Sequence, residues 1–525
     1  MPRLLDLGAW LLGAGLVTSL IVSAGRPALL LLWWSRPEHV FLALLVVLSV
    51  RWLVAPAAIP RVHPWHTVVA GVLAYALFFS FVTLTRHFTF HTHALDLGYY
   101  VQLTWNLARG AGPYVSVPEM HAWGDHFSPI MYGFVPLFWL WPGPTVLLIV
   151  QSVALALGAF AVFALARRML SDERPAAAFA VLYLVNPSLH GINVRDFHAA
   201  ALAIPLLLAA IYFAEANRPW PFLLAVALAL MCREDAALAV VGLGAWLCVA
   251  RGRWRWGVPT ALAGLVLLVW QVQWLIPGYR GEPYSHLGRY GHLGTTLTGV
   301  LTGMLWHPLR TAGFLLSGDR LVYLIAMLAP LGLLPLLGPG GLLGAVPTLV
   351  QNLLSSDPIL YNYRTQYQAF ALPFLILAAI EGYKRVAARQ PARWPVMVLV
   401  VAMVASLALA SRTVNNLALG RWWPTSEQRA AYRVMAQVPP AAALSAQDPY
   451  VAHLSLRPRV YVFPVGIDKA DYVLINAATY PWRSEPGLTM EREAGTILIT
   501  VPGRKEYRYE VVRHSGPHLL LRRMS

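Results

Sequence analysis

Long apolar runs separated by short polar stretches dominate the chain between residues 7 and 411. Several of these runs reach the length of roughly 20 residues that an α-helix needs to cross a lipid bilayer. The pattern predicts about thirteen transmembrane helices. They fall at about residues 7–24, 39–56, 66–86, 144–166, 175–188, 198–214, 219–232, 235–250, 257–276, 321–338, 341–354, 367–382 and 395–411. A shorter run at 130–141 is interrupted by Pro136 and followed by Pro142, which predicts an interfacial or re-entrant segment.

The pattern changes after about Arg412, where short alternating runs replace the long apolar ones. Residues 424–435 predict a helix capped by Thr425 or Ser426. Short β-like runs follow at 442–446, 460–463, 472–476, 496–501 and 507–512, and the last two can pair with 518–522. We therefore predict N-terminal transmembrane helices over 1–65, a membrane domain over 66–411, and a small soluble α/β domain over 412–525.

Composition supports a polytopic α-helical membrane protein. The chain is 58% hydrophobic and only 12% charged, whereas soluble proteins carry about 25% charged residues. No small-residue cleavage site follows the first apolar run, so we expect an uncleaved first span. The two cysteines, Cys232 and Cys248, have neither a metal-ligand spacing nor a disulfide framework.

In a soluble chain, the net charge of +16 would indicate a nucleic-acid partner. Here basic residues cluster in three short connections between spans, where they set orientation instead, so no nucleic-acid partner is expected. The connections contain Arg167, Arg168 and Arg174; Arg251, Arg253 and Arg255; and Lys384, Arg385, Arg389 and Arg393. The span pattern places all three on one side, which we interpret as cytoplasmic. A multi-pass plasma-membrane protein follows, with a cytoplasmic N-terminus and with loops 87–128 and 277–320 and the C-terminal domain outside.

The polar turn at 91–100 opens the first large outside loop and contains Asp96. One interpretation is structural, because Asp is a favoured N-cap for the helix that follows. The other is functional. Asp96 can act as a general base that takes a proton from a hydroxyl acceptor, or can help to hold a divalent cation such as Mg²⁺ or Mn²⁺.

Other unusual polar residues fall on the same predicted side. They are Asp125 and His126; Asp196 and His198; Arg233, Glu234 and Asp235; and Tyr361, Arg364 and Tyr367. Each set has a structural interpretation as well, as a polar turn, a solvated charged turn or an aromatic belt. In the functional interpretation the carboxylates and histidines support catalysis, and Asp96 with Glu234 binds the cation. Arg233 and Arg364 then contact a phosphate, while Tyr361 and Tyr367 contact the substrate.

Motifs for nucleotide hydrolysis and zinc proteolysis do not occur in the sequence: it has no Walker motif, no Gly-rich dinucleotide loop and no HExxH helix. A group transferred on the outer face must therefore arrive already activated from the membrane. A lipid-phosphate-linked sugar meets that requirement, and its anionic head group suits the outside arginines.

Several stretches resemble a family of prokaryotic polytopic membrane proteins, a domain of unknown function described only as predicted membrane proteins. These stretches are Leu95-Asp96-Leu-Gly-Tyr-Tyr-Val-Gln102, Asp125-His126-Phe-Ser-Pro129-Ile, Asp196-Phe-His198, Arg233-Glu-Asp-Ala-Ala-Leu238, Ser445-Ala-Gln-Asp-Pro-Tyr-Val-Ala-His-Leu454 and Arg457-Pro-Arg-Val-Tyr461. That family is in turn similar to GT-C membrane glycosyltransferases, which include protein mannosyltransferases and aminoarabinose transferases. The resemblance implies a polyprenyl-phosphate sugar donor and a catalytic or metal-linked acid at Asp96. Studied enzymes often carry two adjacent acids there, whereas Asp96 lies between Leu95 and Leu97.

The polar residues and the family resemblance are compatible with three functions. The first is a cell-envelope glycosyltransferase of GT-C architecture, with a membrane lipid and a polyprenyl-phosphate sugar as partners. The second is a transporter or lipid flippase, which would place paired charges deep in the spans and show two similar halves. The third is a non-catalytic membrane scaffold, in which the polar residues do not share one site. Polar residues at the outer ends of spans and the lack of a visible repeat favour the enzyme, with the sugar, acceptor and oligomeric state left open.

Overall fold

The structure is a computed structural model that describes residues 2–22, 36–55, 62–391, 393–478, 488–493, 496–501 and 506–524. It is a mostly helical polytopic membrane protein with a small C-terminal sheet domain, as the sequence predicts. The helices are α1 (Pro2–Val22), α2 (Pro37–Val54), α3 (Pro64–Phe88), α4 (Tyr99–Ala108), α5 (Val135–Leu140), α6 (Pro144–Leu170), α7 (Glu173–Leu184), α8 (Pro187–Val194), α9 (Ala203–Glu215), α10 (Pro219–Leu230), α11 (Ala236–Val249), α12 (Trp254–Trp270), α13 (Ile276–Arg280), α14 (Leu297–Trp306), α15 (Pro308–Leu315), α16 (Gly318–Leu328), α17 (Pro339–Leu354), α18 (Leu372–Arg389), α19 (Arg393–Leu409), α20 (Ser426–Met435) and α21 (Asp448–Leu454).

Each predicted span coincides with a helix or a helix pair, and proline starts several of them. Pro64, Pro144 and Pro219 occupy the first positions of α3, α6 and α10, where the missing N–H has no helical partner to lose. Within the described residues, six helices are long and apolar enough to cross a membrane, or up to eight if each bent pair is one span. Other predicted spans are shorter apolar helices such as α9, α10 and α11.

The 277–320 connection differs from the sequence prediction of an outside loop. It contains two apolar helices, α14 and α15, and α15 forms a pair with the following helical segment, Gly318–Leu331, that is bent by 56°. Each piece is too short to reach the roughly 20-residue threshold for a span. Length is therefore the reason that the hydropathy pattern did not separate them from a loop.

Within the described residues, nine strands form a hairpin and a larger mixed sheet. They are β1 (Tyr114–Ser116), β2 (Glu119–His121), β3 (Leu444–Ala446), β4 (Val460–Val462), β5 (Tyr472–Asn476), β6 (Thr489–Glu493), β7 (Thr496–Thr500), β8 (Glu506–Ser515) and β9 (His518–Arg523). The seven-stranded sheet has the order β4-β3-β5-β9-β8-β7-β6. Antiparallel pairing of β7 with β8 and of β8 with β9 confirms the predicted C-terminal strands. The sequence pattern does not predict β6, because Thr-Met-Glu-Arg-Glu is an almost wholly polar edge strand.

The 87–128 loop packs against the C-terminal domain. Asp448 accepts hydrogen bonds from the backbone N–H of Ala94 at 2.8 Å and contacts Nδ1 of His93 at 2.8 Å. The hydroxyl of Ser116 donates to the carbonyl of Val460 at 2.7 Å. Gly98 packs so closely on α21 that a Cβ there would lie 3.1 Å from Oγ of Ser455. The loop and the domain thus pack together as one unit.

Gln102→Leu is expected to weaken this unit. The buried amide of Gln102 donates to Oγ of Ser116 at 2.9 Å and to the carbonyl of Arg457 at 3.0 Å, and accepts from the N–H of Ser116 at 2.7 Å. Leaving those partners unpaired should lower the free energy of unfolding by about 1–3 kcal/mol. Hydrogen exchange across 94–121 and 444–462 measures the effect, with the exposed Gln390→Leu as control. Equal protection in both variants would contradict the assignment.

Candidate functional site

Asp96 lies on a π-helical turn, Ala94–Gly98, between α3 and α4. Such turns are rare and are frequent at functional sites. Gly98 and not Asp96 occupies the N-cap position of α4, and no side chain caps that helix. The side chain of Asp96 instead contacts His198, so the capping interpretation is wrong for this structure.

The first group of polar residues, the Asp96 group, consists of Asp96, His198, Asp196 and His93. Nε2 of His198 lies 3.1 Å from Oδ1 of Asp96. The His198 side chain is buried, but that of Asp96 remains 31% exposed and is accessible from outside the protein. Oδ2 of the buried Asp196 accepts the backbone N–H of His93 at 2.9 Å. Asp196 also has φ of 66°, an unusual left-handed conformation for a residue other than glycine.

The two carboxylates of this group have pKa values shifted in opposite directions. Burial acts to raise the pKa of Asp96, but attraction and hydrogen bonding to His198, with attraction to Arg195, lower it below its usual range overall. Burial raises the pKa of Asp196 to about 6, and repulsion by Asp96 adds to the increase. A pair of nearby acids with separated pKa values is a recurrent feature of acid–base sites.

Stability should depend on pH through Asp196. Folded Asp196 holds its proton more tightly than the unfolded chain does, so its contribution is fully present below pH 4 and is lost as the pH rises through about 6. The loss is on the order of 2–3 kcal/mol. The variant Asp196→Asn keeps an acceptor for the backbone N–H of His93. We expect its stability relative to the parent chain to be higher at pH 7.5 than at pH 4. Thermal midpoints of both proteins at both pH values test this, and a pH-independent difference would contradict it.

The second group, the Glu234 group, surrounds a fully buried carboxylate in the turn between α10 and α11. Oε1 of Glu234 lies 2.7 Å from Nδ1 of His126 and accepts the hydroxyl of Tyr284 at 2.8 Å. Oε2 accepts the backbone N–H of Phe127 at 3.1 Å. Burial acts to lower the pKa of His126, but Glu234 and Asp125 raise it overall. The charge on this turn is therefore compensated inside the protein and is not exposed to solvent.

Asp125, His126 and His286 form a candidate cation site beside Glu234. One ligand atom from each lies within 4.8 Å of the others, and among the described residues this is the one such group. The rings of His126 and His286 are stacked at 4.7 Å. Two imidazoles and one carboxylate suit Mn²⁺ or Zn²⁺ better than Mg²⁺, which prefers oxygen ligands. The predicted pair, Asp96 and Glu234, contacts two different histidines instead.

The third group, the Arg233 group, is cationic and aromatic. Arg233 is buried, forms an ion pair with Asp235, and lies 4.8 Å from the ring centre of Tyr367. Arg289 donates to the Tyr367 hydroxyl at 3.0 Å and has its guanidinium 5.3 Å from the same ring. Asp235 also accepts from Gln351 at 2.9 Å. Nε of Arg233 is buried without a hydrogen-bond partner in the described structure, so this donor is unsatisfied.

Tyr100 lies between these groups. Its ring centre is 6.5 Å from that of His198. Burial raises the pKa of its phenol, on which Arg233 and Asp125 also act electrostatically. Two other predicted residues make different contacts. The ring of Tyr361 faces the guanidinium of Arg320 at 4.5 Å, and the backbone of Arg364 packs against Gly191 of α8.

Three residues that complete these groups lie in the 277–320 connection and were not among the predicted site residues. They are Tyr284, His286 and Arg289. Their spacing follows no ligand or catalytic motif, since each contacts a group that lies far away in the chain. The predicted residues Asp96, Asp196 and His198 do come together, as do Asp125, His126 and Glu234, and Arg233, Asp235 and Tyr367.

The architecture is similar to that of solved membrane enzymes. ArnT from Cupriavidus metallidurans in the apo state matches with a TM-score of 0.52 and 15% identity, over 86% of this chain and 97% of that one. The same enzyme bound to undecaprenyl phosphate matches with a TM-score of 0.50 and 14% identity over the same shares. The oligosaccharyltransferase of Archaeoglobus fulgidus in the apo form matches with a TM-score of 0.45 and 11% identity, over 80% of this chain and 70% of that one.

These similarities establish the fold alone, which is a GT-C-like membrane fold. Residues 86–498 match the family described as predicted membrane protein (DUF2079). The chain belongs to that family, as the sequence motifs predict. A comparison with curated protein sequences gives no significant match.

Proposed function

We propose that this protein is a membrane glycosyltransferase that moves a sugar from a polyprenyl-phosphate donor to a hydroxyl acceptor outside the cytoplasm. The contact between Asp96 and His198 carries the proposal. It joins an accessible carboxylate on the first large loop to a buried imidazole at 3.1 Å, with Asp196 beside it. The fold supports the donor class, since a structural neighbour binds undecaprenyl phosphate.

Asp96 is proposed as the general base. Its lowered pKa keeps it ionised at neutral pH, and a positioned carboxylate accelerates such reactions by about 10²–10⁴. The acceptor oxygen bonds to the anomeric carbon of the sugar while the bond from that carbon to the phosphate oxygen breaks. The acceptor proton passes to Asp96, and polyprenyl phosphate leaves with the bonding electron pair. His198 is a positioning residue that holds the Asp96 carboxylate.

The Arg233 group is proposed to bind the donor phosphate. Arg233 has an unpaired buried donor, and Arg289 lies on the same tyrosine ring. Guanidinium groups suit phosphate because they donate parallel hydrogen bonds and keep their charge when buried. Tyr367 would then face the substrate. Arg364 and Tyr361, which make other contacts, remain predictions as phosphate and substrate ligands.

Asp125, His126 and His286 would hold a divalent cation if the enzyme uses one. Bound there, the cation would neutralise charge on a phosphate leaving group. Glu234 would orient His126 from the other side of its ring, as carboxylates commonly do for ligating histidines. A cation at Asp96 and Glu234 remains a prediction from the sequence.

Orientation follows from the basic connections, which we propose are cytoplasmic. The N-terminus is then inside, and the three polar groups and the C-terminal domain are outside. The domain packs on the loop that carries Asp96. We propose that it contributes to acceptor binding.

The test uses the full chain in proteoliposomes with a panel of polyprenyl-phosphate hexoses and pentoses and with cell-envelope extract as acceptor. We expect acceptor-dependent release of free polyprenyl phosphate, quantified by mass spectrometry, for at least one donor. A flippase would instead move donor between leaflets without cleaving it. Translocation with no release across the panel would overturn the proposal, as would inertness in both assays.

A further inference from the structure

A second polar site lies at the opposite end of the helical bundle. It is a cavity of about 1110 Å³. Six cationic side chains line it: Arg168, Arg251, Arg253, Lys384, Arg385 and Arg389. Two carboxylates, Glu215 and Glu381, line it as well. The cations come from the three basic connections that indicate the orientation of the chain in the membrane.

The helices show how far this cavity is from the groups described above. α11 begins next to Asp235 and ends next to Arg251. α6 begins at the outer-loop end with Pro144 and carries Arg168 in its last turn. At 1.5 Å per residue, its 27 residues extend about 40 Å. The cavity is therefore separate from the Asp96, Glu234 and Arg233 groups.

Both carboxylates of the cavity already form ion pairs within the protein. Arg251 forms an ion pair with Glu215, and its Nη2 lies 3.0 Å from Oε1 of Glu381. The other oxygen of Glu381 accepts the backbone N–H of Gly341 at 2.8 Å, at the start of α17. One arginine thus pairs with both acids, and the six cations of the cavity exceed its two carboxylates by four charges.

The other five cations form no ion pair with an acid in the described structure. Arg168 donates to the carbonyl of Glu215 at 2.8 Å, and Arg253 and Arg385 also donate to backbone carbonyls. These bonds position the guanidinium groups without removing their charge. Lys384 and Arg389 have no hydrogen-bond or ion-pair partner among the described residues. The cavity therefore holds a strong net positive charge.

Orientation alone does not account for this arrangement. The positive-inside rule concerns the number of Lys and Arg in short loops, and it does not require loops far apart in sequence to line one cavity. The wall is also partly apolar: Met169, Val249 and Leu343 line it, and Val249 is 69% exposed. A free inorganic anion would not need that apolar wall, whereas a lipid would cover it with its acyl chains.

We propose that this cavity binds the phosphate-bearing head group of an anionic phospholipid, at the membrane surface opposite the donor site. Basic pockets between transmembrane helices are suited to such head groups. Arg168, Arg253 and Arg385, held by backbone carbonyls, would orient the phosphate. Lys384 and Arg389 would close over it.

The experiment titrates dioctanoylphosphatidylglycerol into the full chain in nonionic detergent and measures binding by thermophoresis. Lys384→Gln combined with Arg389→Gln should weaken binding by about tenfold or more, since each loses a charge-assisted contact. The matched control is Arg167→Gln with Arg174→Gln. It removes two charges from the same end of the bundle but none from the cavity, and should change affinity by less than about fivefold.

Two further probes separate the possible ligands. We expect dioctanoylphosphatidylcholine and inorganic phosphate both to bind at least about tenfold more weakly than phosphatidylglycerol. Equal weakening of phosphatidylglycerol binding in the two double variants would overturn the proposal. Binding would then depend on the total charge at this end of the bundle and not on the cavity. Inorganic phosphate binding as tightly as phosphatidylglycerol would also overturn it, by assigning the cavity to a free anion.

Discussion

Asp96→Asn is expected to reduce glycosyl transfer by about 10²–10⁴-fold, while the protein remains folded. The amide is nearly isosteric and can still hydrogen-bond to Nε2 of His198, which lies 3.1 Å from the carboxylate. It cannot accept the proton of the acceptor hydroxyl. The change should therefore appear in kcat and kcat/KM together, because the interaction lost exists only in the transition state.

Release of polyprenyl phosphate in proteoliposomes measures this effect, with the thermal midpoint as the check on folding. Asp319→Asn is the matched control, because it removes one exposed carboxylate at the start of α16. His198→Gln should cause a smaller loss, and should shift the pH profile because the lowered pKa of Asp96 depends on it. Full activity of Asp96→Asn would exclude Asp96 as the base and would return it to a structural role.

Glu234→Ala is expected to destabilise the protein by about 3–5 kcal/mol. The carboxylate is buried and contacts His126, the Tyr284 hydroxyl and the Phe127 N–H at 2.7–3.1 Å. Its removal leaves all three groups unpaired. The His126 imidazole loses the most stabilising contact, because attraction to Glu234 is the largest effect that raises its pKa against burial.

The free energy of unfolding is measured in mixed detergent micelles for Glu234→Ala and for two comparison variants. Tyr284→Phe removes one of the three hydrogen bonds and should cost about 1 kcal/mol. Glu282→Ala removes an exposed carboxylate two residues away in the same connection, and should cost less than about 1 kcal/mol. If Glu234→Ala proved no worse than Glu282→Ala, the Glu234 group would not anchor the turn between α10 and α11.

Local signals determined most of the elements. An apolar run long enough to bury its backbone in a bilayer has few alternatives to a helix, so the pattern located the spans. Of the two predicted caps for α20, Thr425 is the one the structure uses, and it forms a capping box with Gln428. Short runs of β-forming residues located the strands β5, β7, β8 and β9, although β5 and β9 bury side chains on both faces. They do not include β6, whose polar residues carry no such signal.

The candidate site was predictable residue by residue but not as an arrangement. Asp96, Asp196 and Glu234 stand out because charge near apolar spans is costly and so is retained for a reason. Their partners do not stand out, since His286 and Arg289 belong to a connection with no motif. The predicted cation pair illustrates the difference: Asp96 contacts His198, while Glu234 contacts His126.

The sequence by itself thus determined that this is a polytopic membrane protein with a C-terminal sheet domain, because hydropathy and alternation act over tens of residues. Only the tertiary structure decided what Asp96 does locally, by turning it away from the N-cap of α4 and towards His198. It also decided that three basic connections share one cavity. Contacts between residues 100 or more positions apart depend on how helices pack, and no local pattern encodes them.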